Sequence, residues 1–529
     1  MTDSSTISEP TEPEQPLSTQ PAPLHGARLM LGSVALSLAT FMNVLDTSIA
    51  NVSVPSIAGD LGVSPNQGTW VITSFAVSVA ISVPLTGWLT QRFGAVRLFV
   101  LSVVLFVLAS LLCGLAPSLG TLVLFRVIQG AVAGPMIPLS QTLMLSTYPP
   151  EKSGTAMLIW SMTTLVAPVV GPILGGWISD NYSWPWIFYI NVPLGLAAAW
   201  VVWRIYRDRE TPTQKKPIDR MGLVLLVVWV GCLQLMLDKG KDMDWFSSPV
   251  IIALASISCV GFVFFVIWEL TDEHPVVDLL MFKERNFLIC TIAIALGYGV
   301  YFGNIVILPL WLQTELGYTA TRAGLVLAPM GVLAVMVAPV ISRAISRWDP
   351  RWLVTFAFTV FAFVSLLRSE YTTQVDYNSL LWPSLIQGLG LATFFVPLTV
   401  LSLGGLHPSR IAAATGLSNF ARLLFGGFGA SVSTTLWEDR VSMHHARLTE
   451  SSGHFNPIFN QTVDQLQHMG LSAQQALGQV EHMVSQQAGM LGLNDIVWAS
   501  SILFFILGGV VWFTKPIRSV VSIDSGGAH

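Results

Sequence analysis

Charge is scarce in this chain. Only 11% of the 529 residues are Asp, Glu, Lys or Arg, against about 25% in soluble domains. A chain this long with so few charges cannot cover itself with a water-facing coat. The formal net charge of -4 leaves no basic excess, so no nucleic-acid partner is indicated. Cysteine is rarer still. Cys113, Cys232, Cys259 and Cys290 all fall in apolar runs, without the spacing of a metal site or a disulfide framework. They read as small core residues. No GxxxxGK[ST], HExxH, GxSxG or CxxC pattern occurs, so the common marks of nucleotide-driven, metal-assisted or nucleophilic catalysis are missing. Neither an enzyme nor a cofactor is expected, and protons are the one coupling ion. The N-terminal "MTDSSTISEPTEPEQPLSTQPAP" lacks a basic n-region. It reads as a disordered cytoplasmic tail rather than a cleaved signal peptide.

Apolar residues are abundant. They make up 53% of the chain, and the mean hydropathy is +0.64. A membrane-crossing helix needs about 20 mostly apolar residues. That rule predicts an all-α polytopic membrane protein with fourteen spans. Six lie near 29–51, 68–90, 97–115, 121–145, 154–178 and 186–206. Two follow near 221–238 and 249–270, and six more near 286–314, 322–342, 352–369, 379–403, 410–437 and 494–514. Lys and Arg concentrate on one side of this arrangement, eighteen against six, with Arg368 counted among the six. By the positive-inside rule both termini are cytoplasmic. Arg126 and Arg422 fall inside spans.

An internal repeat orders the spans. Ile128–Gly130 recurs as Ile386–Gly388 at an offset of 258, and Pro150 and Lys152 are answered at the same offset by Pro408 and Arg410. Spans four and five are therefore copied, in the same direction, as spans twelve and thirteen. This is the parallel repeat of transporters built from two six-helix halves. The predicted organisation is a tail (1–27), a six-helix bundle (28–206), a linker with two inserted helices (207–285), a second six-helix bundle (286–515) and a short tail (516–529).

Ionisable groups within spans mark function, because burying them in a bilayer is costly. Asp46 in span one and Arg126 in span four are expected at a similar depth, about 8 Å below the outer interface by helical rise. They can pair or share water. Alternatively, Asp46 caps an earlier helix end and Arg126 snorkels outward. Arg422 lies too deep to snorkel and braces the second half. Gln129 and Gln387, matched in the repeat, either line a central path or bond across helices. Asn304 follows Asp46 by 258 residues and is its neutral counterpart. Together with Asn419 these amides are candidate substrate contacts. Gly130 and Gly134 form GxxxG, and Gly171, Pro172, Gly175 and Gly176 repeat close small-residue spacing beside Pro168. They suit either a moving seam or static packing. Residues 438–493 form one long hydrophilic external connection, with an amphipathic helix expected over its second half. His444 and His445 are adjacent there, without an evident third ligand.

Several stretches carry a family resemblance: "LDTSIANVSVP", "QGTWVITSF", "RVIQGAVAGP", "APVVGPILGG" and "SDNYSWPWIFYINVPLG". The chain resembles the fourteen-span drug–proton antiporters of the major facilitator superfamily over nearly its whole length. The resemblance implies that Asp46 is the proton-carrying carboxylate and Arg126 its functional arginine. It implies that Gly171, Pro172, Gly175 and Gly176 sit between the halves. It also implies a periplasmic membrane-fusion adaptor of EmrA type, an outer-membrane channel of TolC type, small hydrophobic substrates and a place in the bacterial inner membrane. One departure is Gln91, which stands where the family's first motif carries an aspartate; Gly87, Arg92, Gly94 and Arg97 of that motif remain. The expected mechanism is rocking of the halves while Asp46 takes up and releases a proton. Moving one charge through 100 mV is worth about 2.3 kcal/mol. A symporter of a polar metabolite, a membrane enzyme and a non-transporting receptor are the competing readings. Substrate-dependent proton flux separates them.

Overall fold

The structure is a computed structural model. It describes residues 24–516 apart from 64, 150–151, 215–218, 274, 346, 407–409 and 451–455. Among the described residues all regular structure is helical, because a helix satisfies its own backbone donors and acceptors where no water can. The first half comprises α1 (Gly26–Asp60), α2 (Trp70–Ser82), α3 (Thr86–Phe93), α4 (Ala95–Gly114), α5 (Leu119–Ala133), α6 (Met136–Thr147), α7 (Ser153–Asn181) and α8 (Asn191–Tyr206). The inserted pair is α9 (Arg220–Lys239) and α10 (Pro249–Thr271). The second half comprises α11 (Arg285–Thr314), α12 (Ala320–Ile345), α13 (Pro350–Arg368), α14 (Tyr377–Leu403), α15 (Ile411–Glu450), α16 (Pro457–His468) and α17 (Ala473–Val510).

Eleven helical stretches are long and apolar enough to cross a membrane. The pair α2–α3, bent by 62°, brings the number to twelve among the described residues. The remaining two expected spans coincide with α7 and α15, which are not among the twelve. The bend falls at Pro84 and the break between α5 and α6 at Pro135. Proline cannot donate to the turn before it, so the helix interrupts there.

Three helices exceed their expected bounds. α1 runs on to Asp60, α15 to Glu450, and α17 begins at Ala473. Polar sequence ends a membrane span but not a helix, so these rods continue beyond the apolar layer. The long hydrophilic connection over 438–493 is thus largely helical among its described residues. α15 and α17 pack along each other, with Trp437 Nε1 donating to the Gly489 carbonyl at 3.0 Å. His444 pairs with Asp495 at 2.9 Å and His445 with Glu481 at 2.8 Å, so the adjacent histidines face separate acids.

The repeat is visible in packing. Gly130 of α5 lies against the Phe75 carbonyl of α2, and Gly388 of α14 lies against the Met330 carbonyl of α12. The same pair of helices is in close contact in each half. Small residues allow that approach, and a side chain at either glycine would collide with backbone.

The inserted helices sit at the edge. Only 22% of the most apolar stretch of α10 is buried, leaving Ile257, Val260 and Phe264 exposed, as a lipid-facing surface requires. α9 tethers both halves at one end. Thr73 of α2 donates to Asp238 at 2.8 Å, and Ser431 of α15 donates to the Leu237 carbonyl at 2.8 Å.

Candidate proton site and central cavity

Asp46 and Arg126 meet inside the first half. Arg126 Nη1 donates to Asp46 Oδ2 at 2.5 Å, and both side chains are fully buried. The readings of Asp46 as a cap and of Arg126 as an outward snorkel are excluded. α1 passes through Asp46 and continues for fourteen residues to Asp60, about 21 Å by helical rise.

The neighbours of the pair come from α2, α5 and α8. Gln129, one turn beyond Arg126 on the same face of α5, accepts from Arg126 at 2.8 Å and donates to Asp46 Oδ1 at 3.2 Å. Asn191, the first residue of α8, donates to the same oxygen at 2.8 Å and to Ser110 at 3.0 Å. Arg126 Nε donates to the Val71 carbonyl at 2.9 Å. The guanidinium carbon stands 4.1 Å from the Phe75 ring centre. Each Asp46 oxygen therefore holds at least one donor, and the guanidinium is divided among a carboxylate, an amide and a carbonyl. These bonds tie α1, α2, α5 and α8 together around one carboxylate.

The second half carries a related but altered site. Arg368 is 2% exposed and donates to Gln387 at 2.8 Å and to Ser384 at 3.1 Å. With the 258-residue offset, Arg368 occupies the place of Ser110 and Ser384 that of Arg126. The arginine has moved from one helix of the repeat to its neighbour. Asn304, in the place of Asp46, accepts from Ser500 at 3.2 Å. No acid joins this cluster among the described residues.

Gln129, Gln387 and Asn304, expected as substrate contacts, hydrogen-bond within these buried networks instead of lining the space between the halves. Gly171 and Gly175 do not face the opposite half; their open sides meet Ser48 and Ile49 of α1. They let α7 close on α1, while Gly130 and Gly134 let α5 close on α2. Pro168, Pro172 and Gly176 lie in α7, and their side chains are outside the described residues. Arg368, expected on the outer surface, is buried. Asn191, Ser110 and Arg368 were missed as site residues. The repeat offset applied to Ser110 is the signal that would have found Arg368.

Between the halves lies a cavity of about 20 Å³, room for about one water. Gln141 and Trp160 line it from the first half, and Phe395, Ser402, Asn419 and Arg422 from the second. Asn419 Nδ2 bridges the halves by donating to Gln141 at 3.0 Å. Of the four amides expected to contact substrate, Asn419 alone reaches this space.

One end of the central seam is shut. A Cβ on Gly87 of α3 would come within 2.7 Å of the Ala413 Cβ and 3.0 Å of its Cα. Gln91 leaves the family's acidic position neutral, yet the start of α4 is still capped by a carboxylate. Glu210 accepts from the amides of Val96 at 3.0 Å and Arg97 at 2.9 Å, where a helix N-terminus favours negative charge. Gly87→Val is expected to hold the seam open at this end and to reduce transport at least about tenfold. Thiol labelling of a cysteine placed at Ala413 checks it: labelling from the Gly87 side should rise in the variant.

Residues 36–430 match the Major Facilitator Superfamily. The chain is 51% identical to the multidrug export protein EmrB of Escherichia coli K12 over 512 residues, 96% of this chain and 100% of that one. It is 49% identical to the fatty acid resistance protein FarB of Neisseria gonorrhoeae, over 93% of this chain and 97% of that one. A double-tryptophan mutant of XylE has the same fold with a TM-score of 0.59 at 15% identity, covering 93% of this chain and 97% of that one. The chain therefore belongs to the Major Facilitator Superfamily.

Proposed function

We propose that this protein exports hydrophobic drugs and toxic amphiphiles across the bacterial inner membrane in exchange for protons. Asp46 is the proton carrier and Arg126 its electrostatic partner. The observation that carries this reading is a carboxylate sealed inside one half and held by a single arginine. Ionised, Asp46 locks α1, α2, α5 and α8 through its three donors. Protonated, it no longer balances Arg126, and the helices are free to rearrange. The rearrangement changes how the first half meets the second, and the central cavity widens toward one side. The relatives named for multidrug export support the direction and the class of cargo.

The pump works with a periplasmic membrane-fusion adaptor of EmrA type and a TolC-type outer-membrane channel. Both termini are cytoplasmic, and the membrane is crossed fourteen times. The α15–α17 rods and α16 then project into the periplasm, where Ile458 is 72% exposed as an apolar contact for the adaptor.

Substrate-dependent proton release in proteoliposomes tests the exchange. Drug addition without proton movement would leave the reading untenable. Replacing Pro457–His468 by a Gly/Ser linker is expected to cut adaptor capture in a pull-down at least about fivefold while leaving transport in proteoliposomes unchanged. Equal capture by the variant would remove α16 from docking.

A further inference from the structure

The central cavity contains a cation with no anion beside it among the described residues. Arg422 lies in α15, 8% exposed. Its guanidinium carbon stands 5.5 Å from the ring centres of Tyr298 and Phe395 and 6.0 Å from that of Trp160. Its Nε is buried with no hydrogen-bond partner among the described residues, and the same is true of the hydroxyls of Ser402 and Thr415. All three side chains line the same cavity.

Arg126 and Arg368, buried inside the two halves, each keep one open N–H as well, Nη2 and Nε respectively, but both hold polar side-chain partners. Arg126 has Asp46 and Gln129; Arg368 has Ser384 and Gln387. Aromatic faces attract a guanidinium but do not complete its hydrogen bonding. A buried cation with an open N–H and no counter-charge is held at a cost that a matching anion reduces. Two idle hydroxyls in the same wall supply further donors, and the three rings supply an apolar seat beside the charge.

We propose that Arg422 is the charge-selecting residue of the central cavity, and that the cargo includes amphiphilic organic anions. A carboxylate or sulfonate takes the guanidinium and the Ser402 and Thr415 hydroxyls. The apolar body lies along Trp160, Tyr298 and Phe395. This deepens the export reading above and rests on it. Because Gln141 and Trp160 come from one half and the remaining walls from the other, parting of the halves enlarges the pocket from its present one-water size. An arginine stays charged at all accessible pH values, so the preference follows the ionisation of the ligand, not of the protein.

The test uses two fluorescent probes that differ by one sulfonate: 8-anilinonaphthalene-1-sulfonate and neutral N-phenyl-1-naphthylamine. Binding is measured on the full chain in nanodiscs, and proton-driven transport in everted vesicles. Wild type should bind the sulfonate. Arg422→Gln should weaken that binding at least about tenfold, the scale of one charge-assisted hydrogen bond, and change the neutral probe less than about twofold. Arg422→Lys should recover part of the loss. Ser402→Asp, which places a carboxylate in the anion's seat, should abolish sulfonate binding and spare the neutral probe; it serves if Arg422→Gln does not fold. Absence of sulfonate binding by wild type, or equal loss of both probes in the variants that fold, overturns the proposal. Sulfonate binding that depends on Arg422 but is never followed by proton-driven transport overturns the export reading instead.

Discussion

Asp46→Asn is expected to abolish proton-coupled export while leaving the protein in the membrane and able to bind cargo. The substitution preserves shape and one acceptor, so Arg126 keeps a hydrogen bond. It removes the one acid of the cluster, the group proposed to carry the proton. The carbonyl of Asn can replace only one of the two oxygens that now serve Arg126, Gln129 and Asn191. Some stability is lost as well, since a buried cation stripped of its counter-charge costs about 3–5 kcal/mol. The measurement is uptake into everted vesicles under an imposed pH gradient, with binding assayed on the same preparation. Undiminished gradient-driven uptake would take Asp46 out of the mechanism.

Arg126→Lys should be nearly as damaging, although it keeps the charge. Arg126 reaches three acceptors at once: the Val71 carbonyl through Nε, and Asp46 and Gln129 through Nη1. It also stacks on Phe75. A lysine is a point charge on a flexible stem and cannot hold that fork. The Val71 carbonyl loses its side-chain donor, and the link from α5 to α2 disappears. Transport should fall at least about tenfold while the pH dependence of whatever remains is displaced, because the carboxylate has lost a rigid partner. A purely structural role would lower yield and leave the pH profile of the surviving activity in place. The two variants together ask separately whether the acid and the geometry of its partner are needed.

The surrounding residues show how differently the parts of this design can be read. The repeat offset paired Gln129 with Gln387 correctly as equivalent positions. It did not say that both amides turn inward to an arginine instead of toward a substrate path. Arg368 stood at the end of an apolar run and was assigned to a loop, because its charge is invisible to a hydropathy count until its depth is known. Asn191 follows an aromatic segment that gives no hint of Asp46, 145 residues earlier in sequence.

Local chemistry was therefore legible from the chain alone. Scarce charge and long apolar runs demanded membrane helices; the offset of 258 pointed to two like halves; an acid and an arginine at similar depth within spans offered a pair beside the capping and snorkelling alternatives. These follow from the cost of exposing backbone or charge to hydrocarbon, which each segment meets by itself. What the tertiary structure decided was which faces meet. A bundle helix between lipid and apolar neighbours is apolar all round, so periodicity does not reveal its rotation. Rotation is set by close contacts such as Gly130 on Phe75 and Gly175 on Ile49. Those contacts bring Asn191 to Asp46 and leave Arg422, among the described residues, without an acid in the seam between the halves.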